Sequence, residues 1–246
     1  MVNRVALVTG GTGGIGTEIC MALANSGCKV AASWLRGVDD GEGWQAKQKE
    51  AGFDFAIAAG DVSDFDAATK MVQEAEKKLG PIDILVNCAG ITKDSFMHKM
   101  TADQWNAVLR VNLDSVFNVT KQVLIGMRDR GFGRIINLSS VNGQKGQMGQ
   151  ANYSASKAGM HGFTMALAQE SARKGITVNT ISPGYVNTSM VAAMGEKVVQ
   201  QMVSQIPVGR LGNPDEIARV VTFLAAEEAG FITGANIAIN GGMHMG

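Results

Sequence analysis

The chain has 246 residues, 46% hydrophobic and 18% charged, enough apolar content to bury a core and too much for a disordered segment. Its 22 Lys+Arg balance 22 Asp+Glu, so no net field favours nucleic acid or an anionic membrane, and any polyanion must be held locally. Glycine is in excess: 31 of 246 is about 13%, near twice the usual ~7%, yet four prolines and no G-X-Y period exclude collagen-like and low-complexity chains. The apolar run within residues 1–8 is too short for a signal-peptide core, and no later run reaches the ~18 residues of a membrane span, so a cytoplasmic protein is expected. Cys20, Cys28 and Cys88 are odd in number without C-x-x-C spacing, and His98, His161 and His244 are scattered. Buried thiols and ordinary histidines are therefore expected, with no disulfide and no metal site.

In chain order, short apolar or β-branched runs at 4–8, 29–33, 54–58, 82–86, 134–138, 177–182 and 236–239 alternate with helix-length amphipathic stretches. Continuous apolar strands alternating with helices predict about seven parallel strands covered on both faces, a doubly wound α/β sheet in one domain. Ser63 or Asp64 caps a helix that stops at Gly80-Pro81, and Asn213, Pro214 and Glu216 supply cap, first-turn proline and capping-box acid for another.

The first strand runs directly into Thr9-Gly10-Gly11-Thr12-Gly13-Gly14-Ile15-Gly16 and then a helix with Ile15, Ile19 and Leu23 on one side. Glycines let the backbone approach a pyrophosphate and the helix amides meet its charge, so this βα unit is expected to bind a dinucleotide; a ligand-free glycine turn is the alternative. The second strand ends in Ser33-Trp34-Leu35-Arg36, with no acid where a ribose 2′-hydroxyl would be held. Arg36 favours NADP, while Asp39, Asp40 and Glu42 just beyond it keep NAD as the alternative. Asp61 reads either as an adenine contact or as a turn residue.

Tyr153 and Lys157 at i and i+4 share one helix face, and Ser140 stands 13 residues before Tyr153 at the end of the fifth strand, where open α/β sheets place their chemistry. Together with the glycine turn, Asn112 and Pro183-Gly184, these residues resemble the short-chain dehydrogenase/reductase family over essentially the whole chain. The resemblance implies a Rossmann fold and catalytic Asn112, Ser140, Tyr153 and Lys157. It implies cofactor contacts at Gly10, Thr12, Gly13, Gly14, Ile15, Gly16, Arg36, Asp61 and Val62. Asn87, Ala89, Gly90, Tyr153, Lys157, Pro183, Gly184, Val186 and Thr188 complete that expected set. Cys88 stands where the family commonly has a second Asn. A Tyr hydroxyl of ordinary pKa near ~10 is a poor acid at pH 7, and an ammonium about 4 Å away would lower it. Ser140 is expected to bind the substrate carbonyl, Tyr153 to donate the proton, and Asn112 to hold a water refilling the proton chain through Lys157.

Residues 142–150 form a polar, glycine-containing stretch between Ser140 and Tyr153, read as a loop whose amides bind an acyl carbonyl. That stretch, residues 87–94 and the ending 240–246 are similar to a branch of the family that reduces acetoacetyl-CoA with NADPH to (R)-3-hydroxybutyryl-CoA for polyhydroxybutyrate synthesis. The similarity implies an acyl-CoA substrate touching Asp94, Lys99, Ser140, Gln147, Met148, Gln150 and Tyr185, and a homotetramer joined through residues 112–130 and 153–174 and the final strand. Residues 185–211, with Met190, Met194 and Met202, read as a substrate lid, although methionine as core filler is the plainer reading. Two other readings remain: a 3-oxoacyl-[acyl-carrier-protein] reductase, and a non-catalytic dinucleotide-sensing regulator, against which intact Ser140, Tyr153 and Lys157 argue.

Overall fold

The computed structural model describes Met1–Met245; Gly246, the last residue of the closing segment, lies outside the described residues, and of Met190 only the backbone is described. Among the described residues one sheet holds seven strands: β1 (Val5–Thr9), β2 (Lys29–Trp34), β3 (Ala56–Ala59), β4 (Ile84–Asn87), β5 (Gly133–Leu138), β6 (Ile176–Pro183) and β7 (Asn236–Ile239). All pair in parallel in the order β3-β2-β1-β4-β5-β6-β7. The expected doubly wound sheet is therefore present, with strand ends displaced by two residues at most. The starts of β3 and β4 are displaced most; at β4 the Asp83 carboxylate takes the Val5 amide at 3.2 Å and regular pairing begins one residue later.

The strands alternate with α1 (Gly14–Asn25), α2 (Gly41–Glu50), α3 (Phe65–Leu79), α4 (Ala102–Leu109), α5 (Ser115–Arg130), α6 (Val141–Lys145), α7 (Ala151–Ser171), α8 (Ser189–Ala192), α9 (Glu196–Val203) and α10 (Pro214–Ala225). The caps at Asp64 and Asn213 and the stop at Gly80 stand where expected. Alternation along β1 divides two cores: Ala6 and Val8 pack with Ile19, Leu23 and Val221 on one face, Val5 and Leu7 with Met71, Val123 and Met127 on the other. Among the described residues no helix is long and apolar enough to cross a membrane.

At the carboxyl edge of the sheet the apolar core gives way to a transverse polar row. Thr9, Asn87, Asn137, Thr180 and Asn236 are register partners on five successive strands. Asn87 Nδ2 donates to Asn137 Oδ1 at 2.8 Å, Asn137 Nδ2 to Thr164 Oγ1 at 2.9 Å, and Thr180 Oγ1 to Thr164 Oγ1 at 2.8 Å. A one-residue slip would break every bond, so the row fixes register as well as satisfying buried groups. Replacing Asn137 by Ala removes one bond each from Asn87 and Thr164 and leaves a cavity, and should lower the unfolding free energy by roughly 2–4 kcal/mol. Urea unfolding at one fixed protein concentration measures this, and a loss under about 1 kcal/mol would mean the row is not under strain to pair.

Candidate active site

The sheet order reverses between β1 and β4, so the loops after these two strands face one crevice. Gly10 adopts φ +61°, and a Cβ on it would lie 3.0 Å from Ala89 Cα; a Cβ on Gly16 would collide with Gly10 O. Gly10 thus lets the two loops touch, and Gly16 lets α1 start beneath the turn. Thr9 Oγ1 ties the loops by accepting the Cys88 and Ala89 amides at 3.0 and 3.1 Å, and Ser33 Oγ holds the Gly10 amide at 3.2 Å. Gly13 and Gly14 are exposed, no side chain caps α1, and Thr12 and Ile15 are half-buried beside them. A Cβ on Gly14 would meet Thr188 Cγ2 at 3.5 Å, which places Thr188 across the opening. An open helix N-terminus behind bare glycine backbone fits a pyrophosphate.

The outer residues expected at the cofactor are placed as follows. Asp61 Oδ1 accepts from Ser63 N and Oγ at 2.9 and 2.7 Å, so one oxygen serves a turn. Val62 is buried, its carbonyl held by Asn118, and the Asn87 side chain is turned into the polar row. Pro183 ends β6, Gly184 bonds Ile239 where a Cβ would meet Asn240 Cα at 2.8 Å, and Val186 is buried beside Gly212. Arg36 is exposed, its guanidinium 5.3 Å from the Trp34 ring. Asp39 Oδ2 accepts the Leu35 amide at 2.9 Å and Asp40 caps α2 through the Gly43 amide at 2.9 Å, so both acids are bound within their own loop.

Asn112, Ser140, Tyr153 and Lys157 come from three elements. Asn112 sits in a π turn, Arg110–Asp114, that interrupts α4 and α5, a feature common at functional sites. Its Oδ1 accepts the Ile91 amide at 2.8 Å while Nδ2 donates to Ile91 O and Ser156 Oγ, leaving one Oδ1 lone pair for a water. Ser140 is the N-cap of α6, with its Oγ accepting the Asn142 amide at 3.1 Å. The stretch after Ser140 is accordingly a short helix up to Gly146, φ +72°, rather than the loop expected from its glycines. The missed signal was a serine cap followed six residues later by a glycine stop.

Lys157 Nζ donates to Leu138 O at 2.6 Å and stands 5.7 Å from the Tyr153 ring centroid. A Cβ on Gly90 would come within 3.3 Å of Asn112 Oδ1 and 3.4 Å of Lys157 Nζ, so Gly90 keeps that junction open. Burial lowers the Lys157 pKa to about 8, partly offset by Cys88. Tyr153 is raised instead of lowered: burial dominates, a hydrogen bond with Ser140 opposes it, and Asp94 and Cys88 add to it. The expected lowering by Lys157 is not found: burial is the largest influence on Tyr153, and the Lys157 ammonium, 5.7 Å from its ring, is bonded to the Leu138 carbonyl. Residues not singled out in the sequence complete the frame: Ser139 Oγ donates to Lys157 O at 2.8 Å, His161 Nε2 lies 2.9 Å from Ser139 Oγ, and Ser156 Oγ donates to Tyr153 O at 2.8 Å.

Of the expected substrate residues, Asp94 and Gln150 are brought together at 2.8 Å. Gln147 Oε1 accepts from Lys145 Nζ at 3.2 Å, Lys99 is exposed and Met148 is 78% exposed. Tyr185 is half-buried and lines a cavity of about 120 Å³ together with Gly184, Ile206, Val208 and Asn240. Among the described residues no group of His, Cys, Asp or Glu could hold a metal ion.

The depressed Lys157 pKa has a measurable sign. The folded chain binds fewer protons than the unfolded chain between about pH 8 and the ordinary lysine value of 10.5, so this group makes stability rise with pH in that window. Relative to Lys157→Met, wild type should gain stability from pH 8 to 9.5. Parallel curves would show the ammonium is not desolvated.

Sequence comparison agrees with this geometry. The family described as short chain dehydrogenase matches residues 4–199. The acetoacetyl-CoA reductase of Allochromatium vinosum is 59% identical over 98% of this chain and 99% of that protein, and that of Shinella zoogloeoides 60% identical over 98% of each. A 3-oxoacyl-[acyl-carrier-protein] reductase of Vibrio cholerae is 42% identical over 99% and 98%. The chain belongs to the short-chain dehydrogenase family of oxidoreductases.

Proposed function

We propose that the chain reduces the 3-oxo group of acetoacetyl-CoA to (R)-3-hydroxybutyryl-CoA for polyhydroxybutyrate synthesis. The observation that carries the reading is the convergence of Ser140, Tyr153 and Lys157 behind an open dinucleotide turn, in a chain whose similarity to acetoacetyl-CoA reductases exceeds that to the carrier-protein reductase. The nicotinamide, when bound, supplies hydride to C3. Ser140 donates a hydrogen bond to the C3 oxygen, and Tyr153 protonates it as negative charge develops. Tyr153 stays protonated until needed because burial favours its neutral form. Lys157, with Asn112 and a water, returns the proton to Tyr153. Asp94, Lys99, Gln147, Met148 and Gln150 form the mouth for the acyl-CoA, and residues 185–211, carrying α8 and α9, act as its lid. Wild type should turn over acetoacetyl-CoA faster than the same acyl group on a carrier protein, and Tyr153→Phe should lose at least ~10² in kcat with cofactor binding kept. Near-normal turnover in that variant would sink the assignment.

Two apolar surfaces support a homotetramer. Phe117, Ile125 and Met165 are exposed on α5 and α7 beside a cleft lined by Phe65, Leu113 and Phe163, and Phe223 and Phe231 are exposed near β7. The free thiols Cys20, Cys28 and Cys88 suit a cytoplasmic, reducing setting. NADPH is the cofactor we favour over NADH, because Asp39 and Asp40 each give an oxygen to a backbone amide of their own loop while Arg36 is exposed just past the end of β2. Arg36→Ala should then weaken NADPH about five- to a hundredfold and leave NADH nearly unchanged, as titration of each cofactor by fluorescence would measure. Equal losses would make Arg36 structural.

A further inference from the structure

Ser140 and Tyr153 stand on different elements, the first capping α6 and the second in the first turn of α7, whose own N-cap residue is Gln150. Three side chains span the gap between these elements. Asp94 Oδ2 accepts from Gln150 Nε2 at 2.8 Å, and Gln150 Oε1 accepts from Asn142 Nδ2 at 2.9 Å. The direction of the chain is imposed from one end. A carboxylate only accepts, so Gln150 turns its nitrogen to Asp94 and its oxygen to Asn142, and Asn142 must answer with its nitrogen. Asn142 Oδ1 is left buried without a partner, in a residue only 5% exposed. An amide choosing its pose for its own hydrogen bonding would not strand that oxygen; Asp94 holds it there, two amides away. The backbone of the same residue donates to Ser140 Oγ at 3.1 Å. The Ser95 amide, bonded to Gly149 O at 2.8 Å, fastens the same two segments a second time.

We propose that Asn142 is a positioning residue: through Gln150 and Asp94 it fixes the spacing of α6 from α7, and so sets the Ser140 hydroxyl against Tyr153 and the reacting carbonyl. The inference rests on the carbonyl-reductase reading. A five-residue helix is too short to hold itself, so the cap bond to Ser140 is only as fixed as the anchorage of α6. Gly143 gives that anchorage its other point: a Cβ there would lie 2.9 Å from the Lys157 carbonyl carbon, so α6 rests directly on the α7 backbone.

The test is Asn142→Ala made in wild type and in Ser140→Ala, assayed with acetoacetyl-CoA and NADPH. In wild type kcat should fall about 10- to 100-fold with the NADPH dissociation constant kept within about twofold; in Ser140→Ala the same change should cost less than about twofold, because its target is gone. Gln150→Glu, which sets carboxylate against carboxylate at a half-exposed position, should reproduce the kcat loss and serves if Asn142→Ala does not fold. Wild-type kcat in both variants, or an equal further loss in Ser140→Ala, overturns the proposal. Full activity in Ser140→Ala alone overturns the reductase reading itself, whereas an uncoupled loss in an enzyme that needs Ser140 sinks only the role of Asn142.

Discussion

Lys157 is bonded at both its ends to the strand end it crosses. Its ammonium is held by the Leu138 carbonyl and its own carbonyl by the Ser139 hydroxyl, while Gly143 permits α6 to lie against its backbone. This junction carries the rest of the site, because α7 brings Tyr153, β5 leads into Ser140, and the Asn112 turn reaches α7 through Ser156. Desolvating an ammonium is costly, and the junction spends that cost on rigidity: the amine has a fixed acceptor, so the helix cannot slide along the strand without stranding a buried charge. The polar row just beneath performs the same service for the strands themselves, one layer deeper.

The division between what the sequence disclosed and what it hid follows the range of the interactions. Strands β1, β4 and β5 are buried throughout, and continuous apolar runs of that kind are readable because each residue reports its own environment. The caps at Asp64 and Asn213 are equally local, with cause and effect within three residues. The π turn at Asn112 was not legible, since it depends on how two stretches of one helix meet different neighbours. Nor was the fate of Asp39 and Asp40, whose carboxylates fold back on amides three and four residues away instead of facing outward. Charge was counted correctly and its direction could not be. The Tyr153–Lys157 pair shows the same limit, because i to i+4 spacing gives a shared face without saying that a strand carbonyl will claim the ammonium first.

Side-chain direction is also what separates a contact from a scaffold at the mouth of the site. Asp94 and Gln150 were expected to touch a substrate, and each is already committed to a partner within the protein. A residue can do both, but its tolerance to substitution is then set by the tighter of the two demands. Lys99 and Met148 are exposed and carry no such commitment.

The π turn has one more consequence, which concerns phase. Ala102–Leu109 and Ser115–Arg130 are two stretches of a single helical rod, and the extra residue accommodated between them rotates everything downstream by about 100° relative to an unbroken α-helix. Upstream of the step, α4 packs on α7, and at the step Asn112 reaches the loop at Ile91; downstream, the same rod turns Val119 and Val123 to the sheet and leaves Phe117 and Ile125 outside. Without the step, one of these alignments would be out of register by more than a quarter turn. A single inserted residue therefore acts as a gear between the chemistry and the outer surface, and shortening the rod by one residue would disengage them while leaving its helicity intact.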